Sequence, residues 1–110
     1  LDFLRGGVEV WHDRALFHFL TEEADQRRYV DTLGHLVVEG GCVIIAAFSL
    51  QGVDRCSGLP VRRYSASLLS DTLGPDFSMT HSFDCLYVTP GGEPRPYIYT
   101  LFRRTAGPRP

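Results

Sequence analysis

Seven consecutive apolar residues, Cys42-Val43-Ile44-Ile45-Ala46-Ala47-Phe48, constrain the fold of this chain more than any other stretch. The run is rich in β-branched side chains. A strand with one face in water would alternate, whereas this one reads as covered on both faces, as in a parallel sheet. Gly40-Gly41 precedes it and ends an amphipathic helix over Glu22 to Val38. Tyr29, Val30, Leu33, Leu36 and Val37 form the apolar stripe of that helix. Thr21 reads as its N-cap, and Glu22, Glu23 and Asp25 complement the dipole in its first turn. Upstream, Val8 to Trp11 or His12 is a shorter strand, so strand, helix and strand make a right-handed crossover unit.

The remaining elements follow from spacing. Ala15 to Leu20 reads as a short helix, with Leu16, Phe19 and Leu20 on one side. Ser49 to Arg63 is a loop. Ser65 caps a helix over Ala66 to Leu73, with Leu68, Leu69 and Leu73 inward, and Gly74-Pro75 stops it. Phe77 to Thr89 alternates, with Phe77, Met79, His81, Phe83, Cys85 and Tyr87 on one side. The turn-rich Pro90 to Pro96 leads into a strand over Tyr97 to Arg104, and two strands joined without a helix are antiparallel. Leu1 to Gly7 is a stub and Thr105 to Pro110 a polar tail expected to be disordered. The fold class is therefore α/β: two parallel strands plus an antiparallel terminal hairpin, with helices packed on the faces.

The chain has 110 residues, enough for one modest domain, and its net charge of −2 gives no general attraction to nucleic acid or anionic membrane. All eleven basic residues are Arg, which favours bidentate contacts to carboxylates and phosphates. The apolar run is too short to span a bilayer, and Leu1 to Arg5 does not form a signal peptide. Cys42, Cys56 and Cys85 are widely spaced without a Cys-x-x-Cys pair, which leaves a structural zinc site without support. Cys42 and Cys85 fall in strand patterns and read as buried small hydrophobes. Reduced thiols fit a cytoplasmic location.

Chemistry concentrates in Val8 to Leu20. Trp11-His12-Asp13-Arg14 stands at the carboxyl end of a strand, just before a helix, where open α/β sheets bind ligands. His12 can act as a general base, since an ordinary imidazole titrates near neutrality. Asp13 and Arg14 can serve a ligand, or can pair with each other and cap the next helix. Trp11 and Phe17 can pack on a ligand or in the core. Arg55, Arg62, Arg63 and Tyr64 lie on the loop at the same rim, either as a lid that grips an anionic acceptor or as solvated charge at a helix entry. His35 and His81 show no partner pattern. No Ser-His-Asp constellation, phosphate-binding loop or metal-binding helix pair is recognisable.

In this order, these elements and residues resemble the C-terminal half of a class I S-adenosylmethionine-dependent methyltransferase. In that family a seven-stranded sheet has its last strand reversed. Val8 to Trp11 resembles the fourth strand, Cys42 to Phe48 the fifth, Phe77 to Val88 the sixth and Tyr97 to Arg104 the seventh. Phe17-His18-Phe19-Leu20 is similar to the family's apolar-His-x-Leu segment. Val37-Val38-Glu39-Gly40-Gly41 resembles its Leu-(Lys/Arg)-Pro-Gly-Gly turn, with Glu39 where Pro is usual. The run Trp11 to Thr21, with Arg55 to Tyr64 downstream, resembles a subgroup of small bacterial-type enzymes. The family's glycine-rich loop after the first strand, and its acid after the second, have no counterpart here. The resemblance thus implies a partial methyltransferase domain over residues 1–104 and a tail at 105–110.

It further implies S-adenosyl-L-methionine as cofactor, with Trp11, Asp13, Arg14 and Phe17 on the cofactor and Asp13 and His12 in catalysis. Arg14, Phe48, Arg55, Arg62, Arg63 and Tyr64 fall to the methyl acceptor, a small molecule or a protein side chain. No nucleic acid or membrane partner is expected. The alternative is a non-catalytic half-domain or interaction module that pairs with another chain. Such a chain would self-associate through the exposed edge of its first strand, or pair with the missing N-terminal half.

Overall fold

In the computed structural model, residues 7–56 and 58–105 are described. The first strand, β1 (Val8–Arg14), runs parallel to β2 (Val37–Phe48), and Asp13 lies opposite Ile45. Two long strands close the chain, β5 (Phe77–Val88) and β6 (Pro94–Arg104), and both neighbouring pairings of β6 are antiparallel. The sheet order is β1-β2-β6-β5. The last strand is thus inserted in reverse between β2 and β5. The expected α/β class, parallel pair and antiparallel hairpin are all present.

Helices α1 (Glu23–Leu36) and α2 (Ala66–Leu73) pack on one face of this sheet. Strand alternation decides which side chains they cover. Val43, Ile45 and Ala47 of β2, with Ile98 and Phe102 of β6, meet Val30 and Leu33 of α1 and Leu69 and Leu73 of α2 in one buried cluster. Leu68, expected inward, is 37% exposed. On the opposite face, Ile44 is half-buried and Phe83 is 58% exposed. Cover there is limited to one end, where a small hairpin of β3 (Arg55–Cys56) and β4 (Leu59–Pro60) lies within the stretch expected to be irregular. Val61 and Cys56 from this region pack with Ala46, Phe48 and Tyr97.

Several local expectations are corrected. Ala15 to Leu20 is not an α-helix but a single 3₁₀ turn over Phe17–Phe19, closed by Phe19 N–H to Leu16 O and Leu20 N–H to Phe17 O, both 3.0 Å. Asp13 dictates this geometry, because its carboxylate accepts the amides of Leu16 (2.9 Å) and Phe17 (3.4 Å). Thr21 does not cap α1; Glu22 occupies the cap position without a side-chain bond. The helix ends at Leu36 and β2 begins at once, so Gly40-Gly41 lies inside the strand rather than at the helix end. There the register shifts, with Val8 opposite Val37 but Val10 opposite Cys42. Gly40 adopts φ +80°, open to glycine at little cost, and a Cβ on Gly41 would stand 2.8 Å from Val37 Cγ1 and 3.1 Å from Glu9 O.

A second bulge lies in β5, between Met79 and His81. It reverses the alternation, so Phe77 and Met79 join the helix-side core while His81, Phe83 and Tyr87 turn to the open face. The expected single-sided stripe is therefore split in two. Cys85 is exposed and Cys42 half-buried, so neither is the buried small hydrophobe that strand patterning suggested. Strand β6 starts at Pro94, three residues earlier than expected. Of the expected tail, Thr105 is ordered by its amide donating to Asp76 O at 2.9 Å; residues 106–110 and most of the N-terminal stub lie outside the described residues. Among the described residues no helix is long and apolar enough to cross a membrane.

Candidate functional site

The carboxyl ends of β1 and β2 meet at one rim of the sheet, beside the 3₁₀ turn and the loop after β2. Ala15 makes the turn out of β1 with φ 64°, a left-handed conformation unusual for a residue with a Cβ, and its amide donates to Ala46 O at 2.8 Å. Backbone strain of this kind costs on the order of 1–3 kcal/mol and collects at functional sites.

Alternation along β1 sends consecutive candidate residues to opposite faces. Asp13 turns under the helices and is only 4% exposed. Besides the two amides of the 3₁₀ turn it accepts the hydroxyl of Tyr29 from α1, and that hydroxyl in turn accepts Trp11 Nε1–H at 2.9 Å. Burial first, then the bond to Asp13, push the Tyr29 phenol far above its ordinary pKa, so it remains a donor. The ring of Phe17 lies 4.7 Å from that of Tyr29 and 5.5 Å from that of Tyr64. Trp11, Asp13, Phe17 and Tyr64 thus come together inside the fold. The cap that Asp13 was expected to supply is present, but without Arg14 as its partner.

Arg14 points the other way, into a box of tyrosines. Its Nε donates to Tyr99 Oη at 3.1 Å, and its guanidinium carbon lies 4.9 Å from the centre of the Tyr87 ring and 5.3 Å from that of Tyr97. Tyr99 stacks on Phe83 at 5.3 Å with 8° between planes. The bond that Arg14 donates to Tyr99 holds its pKa above the ordinary value. No carboxylate pairs with Arg14 among the described residues, and the residue is exposed. His12 shares the open face, two residues back along the strand opposite Ile44, roughly 7 Å below the rim.

His18 pins the two strand ends together. It is fully buried, its Nδ1 accepts Phe48 N–H at 3.1 Å, and its carbonyl accepts Arg62 N–H at 2.7 Å. Its ring lies 4.5 Å from Phe48 and 4.8 Å from Phe19. Burial lowers its pKa to about 4, so the imidazole is neutral at physiological pH with the proton on Nε2. Nε2 is buried without a partner among the described residues, as is Tyr64 Oη.

The arginines expected to form a lid are not gathered at one place. Arg62 reaches across the helix side to Gln26 Oε1 at 3.1 Å and lies over the Tyr64 ring. Arg63 donates to the carbonyls of Leu50 and Gly52, which fastens the loop to itself. Of these three arginines, Arg55, on the β3–β4 hairpin, is the one that lines the same cavity as Phe48, Tyr87 and Tyr97. Sequence reasoning missed Tyr29, counted only as a stripe residue, and the tyrosines of the hairpin. A signal for the latter existed in the alternation Tyr97-x-Tyr99 ahead of Tyr87 in register, but pairing across β5 and β6 was needed to read it.

No family model and no curated protein matches this sequence. Among solved structures, one described as "Conversion of a Disulfide Bond into a Thioacetal Group during Echinomycin Biosynthesis" is 18% identical, with a TM-score of 0.67 over 89% of this chain and 49% of its own. A SAM-dependent methyltransferase from Methanosarcina mazei is 8% identical, with a TM-score of 0.69 over 90% of this chain and 60% of its own. The chain therefore has a methyltransferase fold and spans about half to three-fifths of the length of the structures it matches.

Proposed function

We propose that this chain is the acceptor-side half of an S-adenosylmethionine-dependent methyltransferase, of the small bacterial-type subgroup that carries Trp-His-Asp-Arg-Ala. The observation that carries this reading is the reversed β6 between β2 and β5, with the polar rim at the carboxyl ends of β1 and β2. The methyltransferase from Methanosarcina mazei shares that fold. Fold does not fix chemistry, so the reading stands on the rim as well.

Part of the cofactor fits the residues present. Arg14 offers guanidinium nitrogens to a carboxylate at the strand end, and Leu16, 58% exposed, offers an apolar surface next to it. The glycine-rich loop that would hold the rest has no counterpart in the sequence. When bound, the cofactor supplies an electrophilic methyl group on a sulfonium. This chain supplies orientation, which is most of what an in-line transfer requires. Asp13 fixes the turn that sets the direction of Arg14, Phe48 walls the acceptor side, and His12 is the base nearest the open face of β1.

Titration of S-adenosylhomocysteine into the ¹⁵N-labelled chain tests the reading. Weak binding, with Kd about 1 mM or tighter and shifts confined to the amides of Arg14 to Phe17 and Phe48, is the expected result for half a site. Shifts elsewhere, or none at the rim, would refute it. A second reading, a half-domain that pairs with another chain, is favoured by Val10, 59% exposed on the unpaired edge of β1.

A further inference from the structure

Between the β3–β4 hairpin and the far end of the β5–β6 hairpin lies a cavity of about 240 Å³. Its exposed aromatic wall is Tyr87, 39% exposed, which meets Tyr97 at 6.5 Å; Tyr97 and Phe48, edge to face at 5.1 Å, form the buried floor behind it. Its rim is cationic, from Arg55 and Arg95. Arg95 is committed to Glu93 at 2.7 Å, whereas among the described residues Arg55 bonds to the Gly58 carbonyl alone, at 3.2 Å. Neither Arg55 nor Arg14 has a carboxylate partner among the described residues. Arg14 lies outside the lining, against the Tyr87 and Tyr97 rings. An Arg55 guanidinium without a carboxylate partner, beside the exposed Tyr87 ring, makes a site for a molecule that is flat and apolar at one end and anionic at the other.

We propose that the methyl acceptor is a small single-ring molecule bearing an oxyanion, its ring seated against Tyr87 at the edge of the Phe48 and Tyr97 pair and its anion on Arg55. Size limits the occupant. A cavity of about 150 Å³ accommodates benzene. The present cavity therefore has room for one substituted ring. The anion is a carboxylate or a phosphate, since the guanidinium fork matches both. The assignment rests on the methyltransferase reading for the word acceptor, while the site itself is independent of any cofactor.

The test uses that independence. The ¹⁵N-labelled chain is titrated separately with benzoate, phenyl phosphate, uncharged benzamide and inorganic phosphate. Benzoate or phenyl phosphate should bind at least about tenfold more tightly than benzamide and than inorganic phosphate, with shifts at Phe48, Tyr87 and Tyr97. Whichever binds more tightly identifies the anion. Arg55→Gln should bring the anionic ligand down to the benzamide level and leave benzamide unchanged, and Arg55→Lys should restore part of the difference. Tyr87→Leu should weaken the charged and uncharged rings alike. Equal affinity for benzoate and benzamide, or no shift at these residues at about 10 mM of either anion, overturns the proposal. Anion binding without any response to S-adenosylhomocysteine would retain the site and remove the methyltransferase reading. A cofactor response with no preference for the anion would do the reverse.

Discussion

His18 makes stability depend on pH in a calculable way. In the unfolded chain its imidazole titrates near 6.5, and in the folded protein burial lowers this to about 4. As pH falls below 6.5 the unfolded chain takes up a proton that the native protein refuses. The His18 contribution is therefore complete above pH 6.5 and lost as pH falls through 4. At about 1.4 kcal/mol per pKa unit, the change from 6.5 to about 4 amounts to about 3 kcal/mol. That is a large share of the roughly 5–15 kcal/mol that holds a domain folded. Geometry gives the same sign as burial, because Nδ1 is the acceptor for Phe48 N–H at 3.1 Å and a proton placed there would abolish that bond. The variant for comparison is His18→Asn, whose amide oxygen can still accept from Phe48 but which does not titrate. Urea unfolding followed by the fluorescence of Trp11 measures both proteins from about pH 7.5 to about pH 4. At the upper end His18→Asn is the less stable, since it leaves a void against the Phe48 and Phe19 rings. The stability gap between the two should shrink by about 3 kcal/mol on acidification as the wild type alone loses the His18 term. A gap that stays constant across the range refutes the assignment, because all the other titrating groups are common to both proteins.

Two further outcomes are expected. Tyr29→Phe removes the hydroxyl shared by Asp13 and Trp11, leaving an indole N–H without its partner and a carboxylate with two donors instead of three. Loss of a bond to a charged group together with an unsatisfied donor costs about 2–4 kcal/mol, read as a drop in the urea midpoint at unchanged slope. An unchanged midpoint would show that Trp11 and Asp13 find other partners. The chain is also proposed to self-associate through the unpaired edge of β1 and the open face around Ile44, Phe83 and Leu101. Sedimentation velocity over a concentration series should show growing assemblies, and a single monomer boundary throughout would count against it.

What sequence could and could not disclose follows a physical line. The parallel pair was legible because Cys42 to Phe48 is apolar on every residue, and the hairpin because no helix separates Phe77 from Arg104. Periodicity failed where one residue was added or a polar group took over. The bulge at Thr80 leaves the composition of β5 unchanged while reversing its faces, and neither residue type nor spacing marks it. The 3₁₀ turn at Phe17–Phe19 had helical spacing, but Asp13 captured its amides and set a tighter geometry. The rim residues Arg14, Phe48 and Arg55 were identifiable by type and position at strand ends. Their tyrosine partners arrive from strands more than seventy residues downstream of Arg14, in a register that only the folded hairpin defines.

The rim and the core are mechanically one unit. Asp13 and Arg14 are adjacent, and the pleat of β1 gives them opposite environments, so the bonds that hold Asp13 to α1 also fix the direction of the Arg14 guanidinium. His18 does the same for the other wall, gripping the Phe48 amide through its ring and Arg62 through its carbonyl. Phe48 in turn accepts Tyr64 N–H at 2.9 Å through its carbonyl, which returns the loop after β2 to the sheet. Neither Asp13 nor His18 presents a polar atom to the open face, yet each sets the place of a residue that does. Substituting either one would therefore disturb a ligand at the rim by moving Arg14 or Phe48. The separation of these effects lies in Arg55, which shares the cavity but makes no bond to that buried network. A ligand response to Arg55 that is absent from the unfolding curve is thus the signature of recognition, and a response to Asp13 or His18 that appears in both is the signature of scaffold.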